Sequence, residues 1–99
     1  MIGTRDANKI ADFVSKNAQV KVGSVEEAAK FATVIVLAVA GAAAKAAFEP
    51  AAENAKGKPV LDACNPIAGA PVDGILPYAQ FPEGSLMEHL QAAFPDSHF

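Results

Sequence analysis

Residues 33–41 read Thr-Val-Ile-Val-Leu-Ala-Val-Ala-Gly, an uncharged and largely β-branched run set between two helix-forming segments. No other stretch limits the fold as strongly. An apolar run of this length predicts a strand buried on both faces rather than one that alternates inside and out. Such a strand needs helices above and below it. The chain is therefore expected to be an α/β layer with this strand near its centre and its carboxyl end, Val39 to Gly41, facing a ligand crevice.

The flanking sequence supplies those helices. Ile2-Gly3-Thr4 reads as the end of a strand, Asp6 as the cap of a helix that presents Ile10, Ala11, Phe13 and Val14 on one face, and Asn17 as its stop. Residues 20–22 alternate like a short edge strand, and Ser24 with Glu27 has the spacing of a capping box, which predicts a helix over 25–31. After Gly41 comes an alanine-rich helical stretch that Pro50 should break or restart and Gly57 should end. Residues 59–64 form a second apolar strand, closed by Asn65-Pro66 because proline lacks a ladder donor and pushes the preceding residue to extended geometry. Residues 67–83 are rich in glycine and proline and read as a long loop, of a length that is usually functional. Ser85 with Glu88 opens a last helix to about Phe94, and Pro95-Asp96 turn the chain toward His98-Phe99. This alternation of strand and helix is that of a parallel sheet with crossover helices. Hardly any strand precedes Thr4 and a new one would begin at the carboxyl end, so residues 1–99 are expected to be one partial domain, a segment of something larger.

Composition narrows the function. At 52% apolar and 19% charged residues the chain should fold rather than stay disordered. A net charge of -3 leaves no basic stripe to neutralise phosphates, which argues against nucleic acid and anionic membrane surfaces as partners. The amino-terminal residues lack a basic region followed by an apolar core, and the run from Thr33 meets Lys45 before it could span about 30 Å of hydrocarbon. A cytoplasmic location is expected. Cys64 is the single cysteine, so no intrachain disulfide or multi-cysteine metal site can form. Neither His89 nor His98 has a sequence-based claim to lie beside it, and a buried structural thiol is the favoured reading over a nucleophile. His89 is expected at the surface of its helix, and no metal site is expected. Asp62, inside an apolar strand, is read as an acceptor for backbone amides rather than as a functional acid.

In a doubly wound sheet ligands bind outside the carboxyl ends of the strands, which selects Thr4-Arg5, Val39-Ala40-Gly41 and Cys64-Asn65-Pro66. An arginine at the end of the second strand of a dinucleotide-binding unit suits a 2'-phosphate, where an acidic residue would suit a free ribose hydroxyl. Lys9, one helical turn on, can add a second positive charge, and the helix start near Asp6 offers free amides. The plain alternative is that Arg5 and Lys9 are solvated surface charges.

Taken together, Ile2-Gly3-Thr4-Arg5-Asp6, residues 34–39, Asp62-Ala63-Cys64-Asn65-Pro66 and residues 85–99 resemble the NADPH-dependent, coenzyme F420-type oxidoreductase family, over nearly the whole chain. The resemblance implies a Rossmann-like doubly wound parallel sheet, running from that family's second strand to the start of its sixth. It further implies that Thr4, Arg5 and Lys9 hold the 2'-phosphate of NADP(H), that Val39 and Ala40 pass under the ribose and pyrophosphate, and that Asn65 and Pro66 lie near the nicotinamide. There the family transfers hydride between NADP(H) and a second carrier such as the deazaflavin F420, the protein supplying mainly position. A homo-oligomer is expected with it.

The departures are equally specific. The family's Gly-x-Gly-x-x-Gly turn is absent, Gly3 having neither a preceding strand nor further glycines at the needed spacing. The central run ends Ala-Val-Ala-Gly where the family more often has a proline after the valine, and the region that would complete the second-substrate site is missing. Two other readings follow from these departures. One is a non-catalytic remnant that keeps the fold and binds at most the adenosine 2'-phosphate end. The other is an interaction module that self-associates through its open sheet edge or pairs with a chain supplying the missing strand. In the strand order 3-2-1-4-5-6 the neighbour of residues 33–39 on one side is the first strand, so that edge should either pair with another chain or close directly on the stub at residues 2–4.

Overall fold

Local side-chain chemistry sets where the helices begin. The computed structural model describes residues 1–81 and 84–99, so the last two positions of the expected 67–83 loop, Pro82 and Glu83, lie outside the described residues. Asp6 Oδ1 accepts the Asn8 N–H at 3.0 Å, starting a 3₁₀ turn over Ala7–Ile10 that runs into helix α1, Ala11–Lys16. Asn17 ends it, its side-chain amide donating to the Phe13 carbonyl at 2.8 Å. Helix α2, Val25–Phe31, and the later helix Leu86–Ala93 each open on a complete capping box. In α2 the Ser24 hydroxyl accepts the Glu27 N–H at 3.0 Å and the Glu27 carboxylate accepts the Ser24 N–H at 2.8 Å; Ser85 and Glu88 repeat this at 3.1 and 2.8 Å. Between them the alanine-rich stretch is helical in four short pieces. A 3₁₀ turn over Gly41–Ala43 leads to α3, Ala44–Phe48, and a second over Glu49–Ala51 to α4, Ala52–Ala55. Pro50 stands in the first turn of the restart, where its missing N–H costs nothing, and Gly57 turns the chain out at φ +72°. With α3 and α4 placed, the helix Leu86–Ala93 is α5.

The strands are short, and they form two sheets rather than one. Strand β1, Ile2–Gly3, lies parallel to β2, Val22–Gly23; strand β3, Ile35–Leu37, lies parallel to β4, Val60–Asp62, in the register Ile35 to Val60, Val36 to Leu61 and Leu37 to Asp62. Each pair is joined through a helix, as parallel neighbours must be. An isolated parallel bridge joins Pro59, just before β4, to His98.

Three expectations for the apolar run need correction. Only residues 35–37 of 33–41 are strand, because ladder length is set by the partner and β4 offers three residues. The strand is not buried on both faces: Leu37 and Val60 are buried, but the register partners Val36 and Leu61 are each 61% exposed. Hydrophobicity specifies that a residue can be buried, and the number of covering helices decides whether it is. The shortest principal dimension, 16 Å, is less than the ~20 Å that two layers stacked on opposite faces of a sheet require. Finally, the run does not close on the stub, since β1 and β3 belong to separate sheets.

The core lies on the covered side of β3 and β4. Phe48 is 1% exposed, and its ring meets those of Phe94 and Phe99 at centroid distances of 4.9 and 5.0 Å. Ala29, Ala44, Ala51, Ala55, Leu86 and Leu90 complete it together with Leu37 and Val60. The carboxyl-terminal residues are laced to this unit by hydrogen bonds. Gly57 N–H donates to Asp96 O and Val60 N–H to His98 O, both at 2.7 Å, while the Gln91 amide donates to Ser97 O at 2.8 Å and accepts from Phe99 N–H at 3.0 Å. Buried Ser97 gives its hydroxyl to Ala55 O at 3.3 Å. Lys58 Nζ reaches Ala29 O at 2.8 Å, a cation on the last turn of α2. His89, expected at the surface, is half-buried with its ring 5.0 Å from that of Phe81. Among the described residues no helix is long and apolar enough to cross a membrane.

Candidate functional site

The site residues read from sequence fall into two groups on different sheets. Thr4, Arg5 and Lys9 follow β1. The Thr4 N–H donates to Gly23 O at 3.0 Å, which ends the β1–β2 pairing, and its hydroxyl both accepts the Asp6 N–H and donates to the Asp6 carbonyl at 3.2 Å. This turn carries the chain from strand into helix and fixes where Arg5 leaves the backbone. Arg5 is exposed and so is Lys9, on the 3₁₀ turn Ala7–Ile10, and neither forms an ion pair among the described residues. The Asp6 carboxylate on the same turn is engaged by the Asn8 N–H and by neither cation, so the two cations, without an ion pair among the described residues, make the turn suited to a dianionic phosphate.

Val39, Ala40, Asn65 and Pro66 form the second group, where the ends of β3 and β4 meet. Asp62 accepts the Cys64 N–H at 2.9 Å through Oδ1, the backbone-amide role expected of it. The Cys64 thiol donates to Leu37 O at 3.4 Å and bridges from the end of one strand to the other. Burial pushes this thiol above its ordinary pKa, the Asp62 carboxylate adds to the rise, and a backbone hydrogen bond from Val39 opposes it. The group is therefore a thiol at neutral pH and not an activated nucleophile. Val39, Ala40 and Asn65 are exposed, and Pro66 is half-buried. Pro66 O accepts Ala79 N–H and Asn65 O accepts Ile67 N–H, both at 2.8 Å, so the neck of the long loop is fastened to this strand end.

Gly41, which the sequence places at this strand end without a role in holding cofactor, holds these ends together. It is buried, and a Cβ built on it would overlap Asn65 O and stand 2.7 Å from the Asn65 carbonyl carbon and 2.8 Å from Pro66 Cα. Only a residue without a side chain lets the turn after β3 lie against the turn after β4. The signal was the glycine itself at a strand-to-helix turn, which marks close backbone approach as well as conformational freedom. The structure thus brings Gly41, the residue after Val39 and Ala40, against Asn65 and Pro66, while Thr4, Arg5 and Lys9 stand on the other sheet. Among the described residues no three His, Cys, Asp or Glu side chains are grouped to hold a metal ion.

Comparison with known proteins adds to this geometry. The family model described as NADP oxidoreductase coenzyme F420-dependent matches residues 1–66. Among solved structures the chain is similar to a protein from Arthrobacter sp. FB24 that carries the name of an F420-dependent NADP-reductase, with a TM-score of 0.83 and 28% identity. The match covers 97% of this chain and 47% of that one, so the chain spans about half the length of that relative. Its two parallel sheets and their helices form a small, incomplete Rossmann-like α/β fold. No curated protein sequence matches.

Proposed function

The chain belongs to the coenzyme F420-dependent NADP oxidoreductase family, and from that premise we propose that it is the NADP-binding portion of an oxidoreductase, with Arg5 and Lys9 recognising the 2'-phosphate. The observation that carries this reading is the pair of exposed cations on the turn after β1, without an ion pair among the described residues. NAD(H), with a free 2'-hydroxyl in place of that phosphate, would leave both without this counter-charge. Thr4 positions the turn through its two contacts with Asp6. Val39 and Ala40 lie exposed at the end of β3, where the ribose and pyrophosphate would pass, and Asn65 and Pro66 at the end of β4 would border the nicotinamide. The dinucleotide supplies hydride chemistry when bound, with a second carrier such as a deazaflavin as the other party. The residues of this chain bind and orient.

Calorimetric titration with NADPH, NADH and 2',5'-ADP tests the reading. NADPH and 2',5'-ADP should bind more tightly than NADH. Arg5→Ala should cost about 1.5–3 kcal/mol of charge-assisted hydrogen bonding, or roughly 10- to 150-fold in NADPH affinity, and leave NADH unchanged. Absence of heat with all three ligands, or an equal loss for NADPH and NADH, would overturn it.

A further inference from the structure

The turn that carries Arg5 and Lys9 is built around Asp6. Three backbone amides are engaged there: Asp6 N–H donates to the Thr4 hydroxyl at 3.2 Å, Asn8 N–H to Asp6 Oδ1 at 3.0 Å and Lys9 N–H to Asp6 O at 3.3 Å. The Thr4 hydroxyl also donates to Asp6 O at 3.2 Å, so Arg5 sits between two residues bonded across it. Asp6 is extended, at φ -146° and ψ 102°, as a cap requires. These bonds occupy amides that the start of the helix is expected to offer an anion. The hold on a phosphate falls instead to the side chains of Arg5 and Lys9, whose departure from the backbone Asp6 fixes. The Asp6 carboxylate pairs with neither of them: all three residues are exposed, and the ion pair among the described residues is Lys56 with Glu53. Lying one residue from Arg5 and three from Lys9, that carboxylate is within about 10 Å, one Debye length at about 0.1 M salt, of an anion the two cations share.

We propose that Asp6 is a positioning and specificity-determining residue of this site, fixing Arg5 and Lys9 through its hydrogen bonds while its charge opposes the dianionic phosphate they hold. The proposal rests on the 2'-phosphate reading above and adds to it the residue that limits the affinity. One side chain thus exerts two opposed effects. Its cap orders the turn before the ligand arrives, which strengthens binding; loss of an aspartate cap is worth about fivefold in an equilibrium constant. Its charge weakens binding: single and double negative charges about 9 Å apart in water repel by about twofold in affinity at 0.1 M salt and about threefold at 0.01 M. NADH escapes the second effect, because it has no 2'-phosphate and its pyrophosphate belongs to the other strand end, at Val39 and Ala40. Asparagine caps as well as aspartate and carries no charge, so Asp6→Asn and Asp6→Ala separate the two effects.

The test titrates the full chain and both variants with 2',5'-ADP and NADH by calorimetry at 0.01 and 0.1 M salt, with exchange of the Asn8 amide followed by NMR in the absence of ligand. Asp6→Asn should bind 2',5'-ADP about twofold more tightly than the parent at 0.1 M salt and about threefold at 0.01 M, with NADH unchanged and the Asn8 amide still protected. Asp6→Ala carries the same charge as Asp6→Asn but should bind 2',5'-ADP about fivefold more weakly than it, with faster exchange at Asn8. An Asp6→Asn variant no tighter than the parent at either salt concentration would overturn the proposal. So would equal binding by the two variants, or an equal gain for NADH, since a cap with only a structural role moves neither the salt dependence nor the ligand preference. These results fall on Asp6 alone if the parent prefers 2',5'-ADP to NADH. A parent silent toward 2',5'-ADP would overturn the 2'-phosphate reading itself, and the role of Asp6 with it.

Discussion

Gly41→Ala sets two effects against each other, and their magnitudes decide the outcome. In an unhindered helical turn the change should stabilise the protein by about 0.5–1 kcal/mol, by restricting the unfolded chain and improving helix propensity. Here the new methyl would stand 2.7 Å from the Asn65 carbonyl carbon and 2.8 Å from Pro66 Cα, with Asn65 O closer still. Ordinary contact is near 3.4 Å, so backbone must move by more than about half an ångström. A flexible side-chain tip could swing aside, but these atoms belong to the turn that ends β4 and are fastened onward through the Pro66 and Asn65 carbonyls to Ala79 and Ile67. Overpacking against fixed structure costs about 1–3 kcal/mol, and the unyielding partner favours the upper half of that range. The net expectation is destabilisation by roughly 1–2 kcal/mol, with the Cys64, Asn65 and Ile67 amide resonances displaced and those of β1 and β2 unmoved. Urea denaturation followed by circular dichroism gives the first quantity and amide chemical shifts the second. A variant more stable than the parent, with the Asn65 region unshifted, would show that the two strand ends do not touch as described.

Two further outcomes follow from the core and the caps. Phe48→Ala removes the centre of the Phe48, Phe94 and Phe99 cluster and should cost about 3–5 kcal/mol, a large share of the stability of a domain this size, read as a fall in urea midpoint. Ser85→Ala should cost about 1 kcal/mol by freeing the Glu88 amide at the start of α5. Hydrogen bonds from Ser85, backbone first and hydroxyl second, hold the Glu88 carboxyl below its ordinary pKa. With the folded value depressed, its contribution is complete above the unfolded pKa and fades as pH falls through the folded one. NMR titration of Glu88 should show the depressed value in the parent and at most a partial return in Ser85→Ala, where the residue 85 N–H still donates to the carboxylate; a parent value at or above the ordinary one would contradict the capping geometry.

What the sequence made legible was what neighbours in the chain decide. Ser24 and Glu27, and again Ser85 and Glu88, satisfy each other's backbone amides within four residues, and the helix expected over 25–31 has those bounds. Asp62 binding the Cys64 amide is equally local. The parallel alternation also followed from order alone, and membership of the family was legible in the strand-end residues. Features that depend on distant partners were not legible. Val36 and Leu61 have the composition of buried residues, and their exposure reflects a face without a covering helix. His89 is half-buried with the ring of Phe81, eight positions earlier, beside it, and the aromatic cluster joins Phe48 to residues more than forty positions away. Gly41 gained its meaning only when Asn65 was seen beside it.

Helix α2 packs on β1 and β2 along one side and on Glu49–Ala51 and α4 along the other, with Lys58 reaching its last turn. The amino-terminal sheet is therefore coupled to the carboxyl-terminal core largely through seven residues of helix. Free energy stored in the Phe48 cluster reaches β1 and β2 only as far as α2 transmits it, and local opening of the amino-terminal sheet need not disturb that cluster. Cooperativity in this molecule has a narrow waist at α2, whose Val25 and Ala28 face Gly3 of β1 while Ala29 belongs to the core and receives Lys58.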